Sequence, residues 1–386
     1  MALPLSYNIR SLYVRVHVTL LAIGGIALVV AVLTVLIAMA MGFRLALQAT
    51  GSPENVIVTQ RGSQSELTSG MSRENANVLS VNERVQRNTD GQPLASPEMV
   101  VVAAMVRNDG ASTNIVIRGV TKKAFEVRTG IRLVEGRAFQ SGLYEVIVGR
   151  RIRDRMRDID HGRSIDLQRR QWSIVGVFEA NGNGFESEIW GDVDVMGPAF
   201  NRDGYQSLTM RMRNPLTIPT FNAELERNPR MQLQAVQERQ YYEEQSGEVS
   251  TQLLGLAGFV AIVMGIGAIF GAMNTMYAIV AARSREIGTL RALGFSQQSI
   301  LTSFVIESIF LAIVGGTLGC LIALPADGIS SAAGGANFAE VAFAFKITPI
   351  ALGTGMLLAI LMGVIGGVLP AFRAAKVPVV AALRDV

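Results

Sequence analysis

The chain is 386 residues long, 49% hydrophobic and 17% charged, with a formal charge of +4, one cysteine and two histidines. A single cysteine excludes an internal disulfide, and two isolated histidines leave no paired-histidine metal site. The mean hydropathy of +0.34 is that of long apolar runs diluted by one large polar insert.

Residues 1–17 are expected to form a cytoplasmic or interfacial N-terminal helix ahead of the first apolar run. Val18–Phe43, Leu253–Ala282, Ser308–Ala326 and Ile347–Phe372 contain no Asp, Glu, Lys or Arg. About 20 apolar residues rising about 1.5 Å each cross a hydrocarbon core of about 30 Å, so four transmembrane helices are expected, at 18–43, 253–282, 299–326 and 347–372. The first ends in Ala38-Met39-Ala40, which looks like a signal cleavage site. Its apolar stretch is far longer than a signal core, so an uncleaved anchor is expected.

Outside the segment Arg44–Gln252 the basic residues are Arg10, Arg15, Arg283, Arg285, Arg291, Lys346, Arg373, Lys376 and Arg384. All but Lys346 flank the N-terminus, the loop 283–298 or the tail 373–386, and the positive-inside rule assigns those three places to the cytoplasm. A multi-pass protein of the cell (inner) membrane with both termini cytoplasmic is the expected topology. Acidic and basic side chains balance within Arg44–Gln252, so the net charge comes from the membrane flanks, where it interacts with lipid headgroups and does not signal nucleic acid.

Residues 44–230 are expected to form an α+β extracytoplasmic domain inserted between spans one and two. Asn55–Thr59, Met99–Met105, Asn114–Arg118, Tyr144–Val148 and Trp172–Phe178 are rich in Val and Ile and bounded by turn formers, as strands are. Ser72–Leu79 opens on a capping serine with Asn75 where a capping box has Glu, and Arg150–Asp158 is helix-like. A division into two subdomains is expected near Gly119–Gly130. From 231 to 252 the chain turns polar and rich in helix formers, with Leu233, Val236, Gln240 and Tyr241 near one face, and a stalk helix running into span two is expected. Residues 327–346 form a short extracytoplasmic link.

Catalytic chemistry has few candidates. His17 reads as interfacial and His161 as a turn residue. Glu186, Glu188, Asp192 and Asp194 surround Trp190 without the spacing of a calcium loop, and a solvated hairpin is expected. There is no Gly-x-Ser-x-Gly elbow and no Gly-Lys-Ser/Thr phosphate loop, so no catalytic residue, cofactor or metal is assigned to this chain.

Two features remain. The loop 283–298 carries RSREIGTLRALG, in which Arg283, Arg285, Glu286, Ile287, Gly288, Arg291, Leu293 and Gly294 are the candidate docking residues. A short helix there, lying along the membrane surface, would present Glu286 and the two arginines flanking it to a partner. Glu307 is the one acid near a span and is placed at the cytoplasmic interface. Gly267 and Gly271, Gly315 and Gly319, and Gly363 and Gly367 recur four apart, the spacing that lets membrane helices approach closely within a chain or between two copies.

Asn274-Thr275-Met276, Arg283–Gly294, Ile300, Glu307 and Gly315–Gly319 resemble the FtsX-like permease domain of MacB-type (type VII) ABC transporters, and the tail Pro370–Arg384 is similar to that family's ending. Leu133–Phe139, Glu145–Gly149 and Trp172–Phe178 resemble its periplasmic core domain. The resemblance implies a non-catalytic permease subunit, a second copy of itself or a related permease, and two separate ABC ATPase subunits that bind ATP and Mg. It implies that residues 283–295 couple to the ATPase. It further implies work by mechanotransmission, for export or envelope and lipoprotein traffic, together with a periplasmic adaptor or envelope partner. MacB carries its ATPase at the N-terminus, whereas about 17 residues precede the first span here, so the split-subunit relatives are the expected match. The alternatives are an FtsX-like signal transmitter that moves no cargo and a membrane scaffold without energy coupling.

Overall fold

The computed structural model describes residues 16–333 and 341–376. The expected helix at 1–17 and most of the tail 373–386 lie outside the described residues, as does the side chain of His17. Two compact units are present: an apolar one formed by the helical stretches up to 41, 251–329 and from 345, and a second one comprising 42–250 with 330–344.

In the apolar unit, α1 (Val16–Gln48), α7 (Glu238–Ala282), α9 (Gln297–Ala323) and α10 (Pro349–Ala375) are each long and apolar enough to cross a membrane. Each overlaps a span read from composition, and α7 begins at Glu238, well before the expected start at Leu253. α9 and α10 start on capping hydroxyls: Ser296 Oγ accepts from Ser299 N–H and Thr348 Oγ1 from Ala351 N–H, satisfying donors that a helix start leaves free. α9 stops at Ala323, and Leu324–Ala326 tightens into a 3-10 turn with Pro325 as its second residue.

The second unit is a mixed ten-stranded sheet with helices. Its strands are β1 (Asn55–Gln60), β2 (Ala95–Val106), β3 (Ser112–Val120), β4 (Arg132–Gly136), β5 (Glu145–Gly149), β6 (Ser164–Leu167), β7 (Arg170–Glu179), β8 (Glu188–Asp192), β9 (Ser207–Arg211) and β10 (Leu233–Gln237). The order is β10-β1-β9-β2-β3-β8-β5-β7-β4, with β6 pairing β7. β3–β8 and β5–β7 are parallel and the other pairs antiparallel. β5 and β8 are buried at every residue, which is why they read as continuous apolar or mixed runs. The core includes Val56, Val58, Ile115, Ile117, Val146, Val148, Trp172, Ile189 and Leu208.

All five strands expected from the sequence form, and α2 (Arg73–Ser80) starts on Ser72, whose Oγ accepts from Asn75 N–H. α4 (Arg150–Arg155) is shorter than expected, because Met156 is extended and bridges to Arg107. Two expectations are corrected, and one link gains detail. No division falls at Gly119–Gly130, which holds the end of β3 and the short α3 (Ala124–Val127). The sheet is continuous there and passes through β2, whose start (Ala95–Glu98) pairs β9 while Met99–Val106 pairs β3. The stalk 231–252 is not helical throughout: Leu233–Gln237 is strand, pairing antiparallel with β1, and the helix begins at Glu238. Leu233 and Ala235 are buried, so period-2 burial on a sheet edge replaces the helical face. The link 327–346 contains a hairpin of β11 (Ser330–Ala333) and β12 (Val341–Ala344). β12 belongs with the sheet unit, where Ala342 N–H donates to Ser187 Oγ and its carbonyl accepts from Arg151 Nη1.

Candidate functional site

Between α7 and α9 the chain forms α8 (Ser284–Ala292), a short helix expected from the sequence as a loop helix. Gly294, at φ +92°, makes the turn toward α9 in a conformation that disfavours a side chain. Ile287 and Gly288 are buried, and Ile287 packs with Met276, Ile279, Val280, Ile300 and Phe304. The apolar side of α8 is thus fixed to the span helices by the force that fixes any amphipathic helix.

The charged residues divide. Arg283 turns inward: its Nη1 lies 3.1 Å from Glu307 Oε2, its Nε 3.1 Å from Glu286 Oε2, and its guanidinium 5.3 Å from the Phe304 ring centre. Both Arg283 and Glu307 are buried. Arg283 therefore does not present charge to a partner, as had been expected, and Glu307 is its buried counter-ion. Arg285, Glu286 and Leu293 are exposed, Leu293 at 72%, while Arg291 is half-buried. The outward surface of α8 and its turn is a mixed strip of one cation, one anion and one large apolar residue.

The paired glycines behave differently from one another. A side chain at Gly315 would meet the Ile23 carbonyl at 3.0 Å, and one at Gly319 the Ala27 carbonyl at 2.5 Å. Gly363 faces Ala312 and Ser308, and Gly367 faces Ser308. These four permit contact within the chain, between α9 and α1 or α10. Gly267 and Gly271 have nothing within 4 Å of an added Cβ.

The sheet unit holds a second constellation that sequence reasoning missed. Arg118 on β3 is buried and spends all five N–H donors on carboxylates. Nε reaches Glu188 at 2.7 Å, Nη1 reaches Glu66 and Glu98 at 2.8 Å each, and Nη2 reaches Glu188 at 2.9 Å and Glu66 at 3.0 Å. Arg128, after α3, binds Glu98, Thr209 Oγ1 at 2.9 Å and Glu238 Oε1 at 2.7 Å, with its guanidinium 4.7 Å from the Phe185 ring centre. Glu238, the first residue of α7, also accepts from Ser52 N–H at 3.0 Å and Asn55 Nδ2 at 2.8 Å. Burial pushes the Glu66 carboxyl up, but the charge and hydrogen bonds of Arg118, with Ser207, more than offset it and hold it below the usual carboxylate range. Burial likewise lowers Arg118, and Glu188 and Glu66 raise it further than burial lowers it.

The acidic group around Trp190 is corrected by the same geometry. Glu186, Glu188 and Asp192 are buried in a 3-10 turn and β8, not on a solvated hairpin, and Asp194 alone of the four is exposed. Glu186 accepts from Ala180 and Gly182 N–H, Glu188 from Arg118 and Trp190 Nε1, and Asp192 caps α5 (Val193–Ala199) through Asp194 N–H. The available signal was an arginine at an inward strand position in NIVIRGV and a glutamate beside MVVVA. His161 lies exposed in a turn. The Cys320 thiol, half-buried, faces the Leu352 carbonyl at 3.8 Å.

A chain with four span-length apolar helices, a charged interspan helix and a mixed-sheet unit following the first span has the make-up of a membrane permease. Residues 19–228 match the family described as MacB-like periplasmic core domain, and residues 258–379 match FtsX-like permease C-terminal. The chain belongs to the MacB/FtsX-like family of type VII ABC permeases. Among its relatives are the uncharacterized ABC transporter permease YknZ of Bacillus subtilis, 37% identical over 35% of this chain and 32% of the relative. The macrolide export ATP-binding/permease protein MacB of Brucella abortus is 28% identical over 56% of this chain and 34% of its own length. The pyoverdine export ATP-binding/permease protein PvdT of Pseudomonas entomophila is 39% identical over 34% and 19%. The matched region thus spans about a third or less of the length of these relatives. Among solved structures, the extracellular domain of YknZ is similar over 47% of this chain and 99% of that chain, at 15% identity and a TM-score of 0.37. The periplasmic region of MacB from Actinobacillus actinomycetemcomitans is similar over 52% and 92%, at 11% identity and a TM-score of 0.38.

Proposed function

We propose that this chain is the non-catalytic permease subunit of an ABC transporter and works by mechanotransmission. ATP and Mg²⁺ bind two separate ATPase subunits, which dock on α8 from the cytoplasm. A second copy of this chain, or a related permease, completes the membrane part in the inner membrane, with both termini cytoplasmic. The sheet unit lies outside and moves in response, for export or for envelope traffic with an extracytoplasmic adaptor. The observation that carries the reading is α8 itself: a helix seated by Ile287, Gly288 and the Arg283–Glu307 pair, with Arg285, Glu286 and Leu293 turned outward, inside the segment that matches the FtsX-like permease family. The seat resists displacement, and Leu293 beside it stays exposed. The span α7, which starts at Glu238 beside the sheet, supports a mechanical rather than a channel role.

The test is Leu293→Asp. Losing a docked leucine costs about 1.5–3 kcal/mol, or roughly 10- to 150-fold in affinity, before the added carboxylate is counted. Capture of the tagged chain from native membranes should recover an ABC ATPase with the wild type and at least about tenfold less with the variant, at equal membrane insertion. Equal recovery, or no ATPase with the wild type, would reject the reading. A signal transmitter of the FtsX kind predicts the same docking and separates by retaining partner control without transport.

A further inference from the structure

A cavity of about 90 Å³ opens beside the buried ion network within the sheet unit. Its walls are mainly apolar, with Phe43, Leu67, Val100 and Val116 among them, and Glu66, Glu188 and Arg118 are its ionised residues.

The charge of that polar side is unbalanced. Glu66, Glu98, Glu188 and Glu238 are four buried carboxylates joined to two buried guanidiniums, Arg118 and Arg128, so the formal surplus is two negative charges. The other ionised pairs nearby, such as Arg151 with Glu186, are balanced and do not compensate it. Arg118 is the cation that lines the cavity, and all five of its N–H groups already point at carboxylate oxygens. An anion entering would find no N–H of Arg118 left over, and the other polar groups of the lining, Ser65, Tyr241 and Gln245 among them, are neutral. A carboxylate offers about four lone-pair directions, and Glu188 Oε1 receives a single donor, from Arg118 Nη2, so an incoming N–H group still finds an acceptor. Low surrounding polarity strengthens that attraction, and the Tyr242 ring adds a face that favours cations.

We propose that this cavity binds a small apolar amine in its protonated form, the ammonium meeting Glu188 and the hydrocarbon filling the space among Leu67, Val100 and Val116. The surplus charge selects a cation over an alcohol of the same shape. The site stands apart from ATPase docking: it lies wholly in the sheet unit and needs no nucleotide.

The test uses the full chain in detergent micelles at pH 7, by equilibrium dialysis with labelled benzylamine, benzyl alcohol and benzoate, against protein-free micelles. Benzylamine is expected to bind at least tenfold more tightly than benzyl alcohol, with benzoate not retained. Val116→Phe, which fills the cavity from β3, should abolish benzylamine retention, and Glu188→Gln should weaken benzylamine at least fivefold without changing benzyl alcohol. Folding of each variant is checked by the fluorescence of Trp172 and Trp190, both in the sheet unit. Equal affinity for amine and alcohol would show a mere apolar void and overturn the proposal. So would preference for benzoate, absence of benzylamine binding to the folded wild type, or unchanged binding in a folded Val116→Phe chain. Should Val116→Phe fail to fold, Val100→Phe fills the same space from β2 and carries the same expectation.

Discussion

Replacing Arg118 by Met should destabilise the sheet unit by several kcal/mol. The side chain is 1% exposed and gives five charge-assisted hydrogen bonds to Glu66, Glu98 and Glu188. Methionine keeps much of the volume but leaves three carboxylates facing one another in a site from which water is largely excluded. Removing one partner from a single buried pair costs about 3–5 kcal/mol, against a whole-domain stability of about 5–15 kcal/mol. With a urea slope of about 2 kcal/mol per molar, the unfolding midpoint should fall by at least about 1.5 M. The chain has two tryptophans, and Trp172 and Trp190 both lie in this unit, so fluorescence in micelles reports on it without contribution from the spans.

The pH dependence gives the sharper check, because its sign reverses. In the wild type the Glu66 carboxyl is held below its unfolded value, so its contribution is present above about pH 4.3 and is lost as pH falls through the folded value. Without Arg118 the burial that pushes this carboxyl up is opposed only by the Ser207 hydrogen bond and the charge of Arg128, and its folded value should move above the unfolded one. The variant should then gain stability as pH falls from 7 toward 5, while the wild type does not. Adding Glu188→Gln to Arg118→Met should restore part of the loss at pH 7 by removing one of the three charges. A midpoint shift below about 0.3 M at pH 7, or a variant no more stable at pH 5 than at pH 7, would refute the reasoning.

The remaining predictions concern the membrane part. Gly319→Leu, which drives a side chain into the Ala27 carbonyl, should disrupt packing of α9 on α1 and lower expression of folded chain. Gly271→Leu should leave the single chain intact but at least halve the dimer captured by crosslinking in native membranes, and an unchanged dimer fraction would remove α7 from the pairing surface. Cysteine at exposed Ser141 should react with a membrane-impermeant thiol reagent added to sealed cells and cysteine at exposed Gln297 should not; labelling at 297 would overturn the proposed orientation.

The spans were legible because about twenty charge-free residues admit few other interpretations, and the five strands because Val and Ile cluster there between turn formers. β8, β9 and β10 were not. β8 carries Glu188 and Asp192, and a glutamate in a short segment reads as surface unless its cation is known. That cation, Arg118, lies 70 positions away in sequence, so no local pattern could reveal the pair. β10 begins in LQAVQ and runs into helix formers, and the signal of the long helix extends backward over it. The interspan helix was legible in outline, yet the inward turn of Arg283 was not, since its partner Glu307 is reached only once α9 packs beside α7. The glycine pairs share one spacing but divide by what faces them, which spacing alone does not encode.

Glu238 joins the two constellations through covalent continuity. It is at once the first residue of α7 and a carboxylate held by Arg128, Ser52 and Asn55, at a helix start where negative charge is favoured. Its three partners come from the segment after α1, from β1 and from the end of α3. In the proposed mechanism a force along α7 would therefore reach the sheet through charge-assisted bonds in a dry site rather than through a flexible linker. Such bonds are costly to break singly, so the sheet unit would follow as a body. The strand at Leu233–Gln237, in place of the expected helical stalk, ties the residues just before Glu238 into the sheet by pairing with β1.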